Sequence, residues 1–255
     1  MNLAFIDILD RFVVVIWPML RLSAFLAFTS IFSIRAVNMR IRISLALVLS
    51  FFVSQQLPMP RIDPLTAEGL MEVFRQILIG LTMGLVFQVA SAALVVAGQA
   101  ISNAMGLSIA NMIDPNLGNV PLISQFLTIL GTLVFMGMGG HLIVFGLVLE
   151  SFRILPIGQE FFSQDMLGKM LHWSSMMFLG ALLLGLPVLM TLLFINIGLG
   201  FVSRAAPSLN IFTVGFPALI LVGFFIFILS MGNNVARIEW IWTQAFMTLR
   251  AYLGG

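Results

Sequence analysis

Few residues in this sequence could do chemistry, and their spacing shows what chemistry is open to them. The 255 residues include 2 histidines and no cysteine. Without a thiol there are no disulfides, thiolate metal sites or cysteine nucleophiles. His141 and His172 belong to no metal spacing such as H-E-x-x-H, and no carboxylate lies at a matching helical offset. "GLSIA" (106–110) lacks the closing glycine of a nucleophile elbow, and no phosphate-cradling loop occurs. His141, in "MGGHLIVF", reads as a helix-start or packing residue, and His172, beside Trp173, as interfacial. The residue types give an enzyme little support.

Charges set in apolar surroundings are more informative. Arg21 lies deep within an apolar stretch, and Arg75 stands near the start of another. A cation at the bilayer centre costs about 2.5–3.5 kcal/mol on insertion scales, so it needs partners. One reading is a substrate or ion path. The favoured one is a buried charge that pairs with a backbone carbonyl or with a neighbouring subunit's acid.

The elements that must position these residues follow from composition. The chain is 60% hydrophobic and only 9% charged, whereas soluble domains are about a quarter charged. That implies membrane residence. The first charges are Asp7 and Asp10, not a positive region, so no cleavable signal peptide is expected. The net charge of +2 is spread along the chain, which argues against a nucleic-acid partner.

Six apolar segments stand out: Phe12–Ile34, Ile41–Leu57, Val73–Ala110, Leu122–Leu149, Leu171–Val202 and Ile211–Met231. A span needs about 20 apolar residues. The second is short, and the third would be about 57 Å long as one helix at 1.5 Å per residue. Pro187 is expected to kink or interrupt the fifth. The predicted fold is therefore an all-α membrane protein of about six long, partly broken apolar helices, some tilted or projecting from the membrane. Gly80 and Gly84 form G-x-x-x-G, and Ala93–Ala97 and Ala181–Gly185 share its step, as tight helix packing requires. With Gln88, Gln99, Ser102 and Asn103, they predict that segment three is buried against other protein. After Asn233, Val235, Ile238, Trp242, Ala245, Leu249 and Tyr252 form the stripe of an amphipathic helix. Basic residues fall on both sides of any six-span topology, so charge does not fix its orientation.

Between segments three and four lies "GLSIANMIDPNLGNVP", Gly106 to Pro121. Ile113-Asp114-Pro115 predicts a helix stop, because the residue before proline avoids the helical region. Asn116 and Gly118 suit left-handed angles, and Pro121 can open the next helix. An ordinary helix–helix connection takes about 2–8 residues. This longer one is a candidate moving or occluding element. A competing reading is a small-solute or ion transporter in which Arg21, Asp114 and Glu150 bind substrate or protons. It predicts repeat symmetry, and no repeat is visible.

"MGLSIANMIDPNLGNVPLISQFL" (105–127), "GGHL" (139–142) and "SRAAPSLNIFTVGFP" (203–217) resemble the FliR family across essentially the whole chain. The resemblance implies a membrane subunit of the flagellar type III export gate, related to the injectisome T subunit. It implies partners FliP and FliQ in a helical gate, FlhB at its entrance, and unfolded flagellar proteins as cargo. Residues 1–170 would be FliP-like and 171–255 a FliQ-like helical hairpin with its tip at Arg204, Pro207 and Asn210. The Gly106–Pro121 loop would plug the pore, through Leu107, Ser108, Asn111, Met112, Asp114, Pro115, Asn116, Gly118 and Asn119. Phe and Met side chains would form a deformable seal beside it. The family implies no catalysis and no cofactor. It places such a subunit in the bacterial inner membrane at the flagellar basal body, partly raised above the membrane plane.

Overall fold

In the computed structural model the apolar segments resolve into nine α-helices and no strand among the described residues, which are 2–31, 38–58, 60, 62–107, 121–158, 164–205 and 211–254. They are α1 (Asn2–Phe28), α2 (Met39–Gln56), α3 (Ala67–Ala104), α4 (Leu122–Gly137), α5 (Gly140–Ile154), α6 (Gln164–Ser174), α7 (Met176–Ala205), α8 (Ile211–Leu229) and α9 (Met231–Tyr252). Ala67–Ala104 and Gly168–Ala205 are long and apolar enough to cross a membrane. The number rises to 4 if Leu122–Gly137 with Gly140–Ile154, and Pro217–Leu229 with Met231–Tyr252, are each one bent span. The chain is an all-helical integral membrane protein.

Local chemistry moves the boundaries that periodicity suggested. Segment three was expected to begin at Val73, but α3 begins six residues earlier. The Asp63 carboxylate accepts the Leu65 N–H at 3.0 Å, and the Thr66 hydroxyl accepts the Gly69 N–H at 3.1 Å. Thr66 thus caps one of the orphan donors of the first turn. Segment four divides in two because Gly139 takes φ +68°, a left-handed angle that ends α4 and precedes α5. His141 is then the second residue of α5, as a helix-start residue should be. Pro187 does not interrupt α7, which continues through it to Ala205. Of the polar residues on segment three, Ser102 is buried, whereas Gln88, Gln99 and Asn103 are exposed on this chain.

The helices fall into two units. The first comprises Met1–Val89, Gly139–Ser174 and Gln244–Gly255. Its core holds Trp17, Leu22, Phe25, Phe87 and Leu249. Here α1 crosses α3 on the G-x-x-x-G face. A Cβ at Gly80 would sit 2.3 Å from the Arg21 carbonyl oxygen, and one at Gly84 3.0 Å from Phe28 Cβ. That closeness of backbones is what small residues permit. Phe87 meets the edge of Phe25 at 6.2 Å and lies 5.9 Å from Phe246, while the Trp173 indole N–H donates to the Val86 carbonyl at 3.1 Å.

The second unit comprises Ala90–Met138 and Ser175–Thr243. The C-terminal part of α3 meets α4 as closely: a Cβ at Gly98 would be 2.3 Å from Ser124 Cα, and the Ser124 hydroxyl donates to the Val95 carbonyl at 2.9 Å. Gly180 on α7 admits Ala93. Trp242 is buried against Phe135, with ring centroids 5.0 Å apart, and donates to the Gly131 carbonyl at 3.0 Å. The stripe expected on α9 is buried at Ile238 and Trp242 in this unit and at Ala245 and Leu249 in the first, while Val235 and Tyr252 are half-buried. Helices α7 and α8 pack on each other.

Candidate functional site

Arg21 is fully buried, among the largest side chains to be so. Its guanidinium is met from three directions within the first unit. Nε donates to Gln76 Oε1 at 2.7 Å, Nη1 to Ser151 Oγ at 3.1 Å and Nη2 to the Leu155 carbonyl at 2.9 Å. Its plane lies over the Phe152 ring, 4.1 Å from the centroid, a cation–π contact that gains strength when desolvated. The helices place these groups for local reasons. Gln76 points at Arg21 because Gly80, one turn on, brings α3 against α1. Leu155 offers a free carbonyl because it follows the last turn of α5, where such acceptors are unpaired.

The network extends one step further. Gln76 Nε2 donates to Glu72 Oε1 at 2.6 Å, and the same oxygen accepts the Gly158 N–H at 3.0 Å. Glu72 is almost fully buried, with Arg75 closing its outer side through a contact of 3.5 Å. A cation and an anion are thus buried in one assembly, joined through the Gln76 amide. They hold both ends of the Leu155–Gly158 turn, one through a carbonyl and the other through an N–H. Buried charges persist only when paired and hydrogen-bonded. The sequence singled out Arg21 and Arg75 but not Glu72 or Gln76. Their signal was the 3- and 4-residue spacing of Glu72, Arg75 and Gln76, which puts them on one helix face.

The second site is the start of the polar loop. Helix α3 was expected to stop at Asp114-Pro115, but it ends at Ala104, two residues before Gly106, which takes φ +78°. The Leu107 N–H donates to the Ser102 carbonyl and the Gly106 N–H to the Asn103 carbonyl, both at 3.0 Å. This is a Schellman cap, which a glycine in the left-handed region supplies without strain. At the other end Pro121 precedes α4, with its carbonyl accepting the Gln125 N–H at 3.1 Å. Ser108, Asn111, Met112, Asp114, Pro115, Asn116, Gly118 and Asn119 lie outside the described residues, as do Pro207 and Asn210. Arg204 is in the last turn of α7 and exposed. His172 is exposed on α6.

The third feature is uncovered apolar surface. Only 33% of an apolar 18-residue stretch within Gly168–Ala205 is buried, against 67% of the corresponding stretch within Ala67–Ala104. Phe178, Leu182, Phe194 and Phe201 on α7, with Leu221, Phe225 and Leu229 on α8, lie open.

The fold and the site define a helical membrane protein with a hydrogen-bonded buried charge network and open apolar helix faces. The family described as bacterial export proteins, family 1, matches residues 12–245. The flagellar biosynthetic protein FliR of Escherichia coli K12 is 36% identical over 208 residues, covering 81% of this chain and 80% of the relative. FliR of Pectobacterium carotovorum has the same identity and coverage, and that of Bacillus subtilis is 30% identical over 97% of both chains. This chain belongs to the FliR family of bacterial export proteins, a family of structural membrane components of flagellar biosynthesis.

Proposed function

We propose that this chain is a subunit of the flagellar type III export gate and forms with FliP and FliQ the pore through which unfolded flagellar proteins leave the cell. FlhB lies at the entrance, and the assembly sits in the bacterial inner membrane at the basal body, partly raised above the membrane plane. Residues 1–170 are the FliP-like part, and 171–255 the FliQ-like hairpin with Arg204 at its tip. The single observation that carries this reading, beside family membership, is the open apolar surface of the α7–α8 hairpin. Leu182, Phe194, Leu221 and Phe225 are uncovered on this chain, and in an assembly raised above the membrane plane partner subunits take the place of lipid against them. The chain has no catalytic role of its own. Arg21, which a solute-transporter reading would use with Asp114 and Glu150, is held by three acceptors of its own chain, and this further supports the gate reading.

In this account the loop between Gly106 and Pro121 plugs the closed pore. Its launch point is fixed by the Schellman cap at Gly106-Leu107, and its length exceeds what a connection needs. Deleting Ser108–Asn119, which spares that cap, is expected to leave assembly intact and to make the cell membrane leaky to ions. An unchanged ion leak, in a complex shown to be assembled, sinks the plug assignment.

A further inference from the structure

Helix α7 carries a proline in its interior to which the gate reading gives no role. Pro187 has no N–H, so the Leu183 carbonyl, four residues back, lacks the donor that a residue inside a helix normally supplies. In apolar surroundings such a carbonyl needs a donor from elsewhere, and proline is tolerated in a helix where a neighbouring helix provides one. Here the neighbour is α9, and the Arg237 guanidinium donates through Nη1 to the Leu183 carbonyl. Local packing puts it there. A Cβ at Gly180 would lie 3.2 Å from Ile241 Cδ1, so the missing side chain lets α9 run close to α7. Leu183 is three residues on from Gly180, and Arg237 four residues back from Ile241, so the antiparallel register of the two helices brings them together. Arg237 is half-buried and has no acid partner among the described residues, which leaves the carbonyl to hold its charge.

The same proline stands close to where the support of α7 ends. The buried residues of α7 run from Met176 to Leu192. From Leu193 to Ala205 none is buried, and a Cβ at Gly198 or Gly200 would meet nothing within 4 Å. The Thr191 hydroxyl bonds back to the Pro187 carbonyl at 2.9 Å, a kind of contact that favours bending. Few contacts therefore set the direction of α7 beyond Pro187. Gly200 lies about 20 Å past the proline at 1.5 Å per residue. A change of about 20° at Pro187, the size of an ordinary proline kink, carries it through about 7 Å.

We infer that Arg237 is a positioning residue: it supplies the hydrogen bond that Pro187 denies to Leu183, and so fixes the direction in which α7 leaves the second unit. The use of that direction, to present Phe194 and Phe201 to partner subunits, rests on the gate reading; the clasp between α9 and α7 does not.

The chain has no cysteine, so Leu133→Cys on α4 and Gly200→Cys on α7 each accept one spin label without background. Both positions are exposed and both belong to the second unit. The full chain is expressed alone and held in mild detergent, where no partner braces α7, and the distance between the labels is measured by pulsed electron resonance. Arg237→Ala is expected to spread that distance by about 7 Å and to lower the thermal midpoint by about 5 °C. In a Pro187→Ala background residue 187 has an N–H of its own for the Leu183 carbonyl. There Arg237→Ala is expected to leave both the distance distribution and the midpoint unchanged. A distribution unaltered by Arg237→Ala in the otherwise native chain overturns the inference, as does an equal spread in both backgrounds. If Arg237→Ala alone yields no folded protein, the Pro187→Ala, Arg237→Ala chain decides: it is expected to fold, with the distribution of Pro187→Ala, and its failure to fold overturns the inference. These readings use one chain, so a failure of the gate reading leaves them as they are.

Discussion

Arg21→Ala tests how this fold holds a buried charge. The substitution removes three hydrogen bonds and the contact over Phe152 at once, and it leaves Gln76 Oε1 and the Leu155 carbonyl without their donors. Hydrogen bonds to charged groups contribute about 1.5–3 kcal/mol each. They are not additive here, because the acceptors share one cation, so the relevant comparison is the loss of one partner from a buried ionic network, roughly 3–5 kcal/mol. At about 2–4 °C per kcal/mol for a chain of this size, the unfolding midpoint should fall by about 10 °C. Arg21→Lys keeps the charge, but its single ammonium cannot meet acceptors in three directions. Its midpoint should lie between those of wild type and Arg21→Ala. The control is Arg75→Ala. Arg75 is partly exposed and contacts Glu72 at 3.5 Å, and its removal leaves Glu72 the donors Gln76 and Gly158, so it should cost less than the loss of Arg21. The assay is thermal unfolding of the detergent-solubilised protein, together with its steady-state level in membranes. Arg21→Ala within the range of Arg75→Ala would refute the network argument.

Gly80→Ala and Gly98→Ala should destabilise sharply, because a Cβ would meet the Arg21 carbonyl oxygen and Ser124 Cα at 2.3 Å each; Gly146→Ala, whose Cβ meets nothing within 4 Å, is the tolerated control in the same thermal assay. Gly106→Val forces a β-branched residue to φ +78°, which costs about 1–3 kcal/mol, and under the plug reading it should raise ion leak in cells where the assembly is intact. Trp242→Phe keeps most of the packing against Phe135 but loses the hydrogen bond to the Gly131 carbonyl, a loss of about 0.5–1.5 kcal/mol by thermal unfolding; Trp242→Ala should cost about 3–5 kcal/mol.

Properties that depend on composition and short-range period were legible in the sequence. The membrane class followed from 9% charged residues, and the α9 stripe from its helical steps. Gly80 and Gly84 announced a close helix contact, and Pro121 stands just before α4 as expected. Caps were harder to see. Thr66 and Gly106 set the ends of α3 through single hydrogen bonds and one left-handed angle, while the apolar pattern fades and resumes without marking them. Gly139 was visible in "MGGHL" but gave no sign that it divides segment four, because apolar residues continue on both sides. The partners of Arg21 were out of reach. Gln76, Ser151 and Leu155 lie 55, 130 and 134 residues away, and no local spacing joins them. The cost of burying a cation called for a partner, but only the packing of α1, α3 and α5 supplies its identity.

The central claim, that this chain works as one subunit of a larger gate, is tested most directly by native mass measurement after mild-detergent purification from its own cells. The account predicts a hetero-oligomer containing this chain and two other small membrane proteins, with the α7–α8 surface at Phe194 and Phe225 protected from solvent labelling. A lone monomer or a pure homo-oligomer that retains export activity would contradict it.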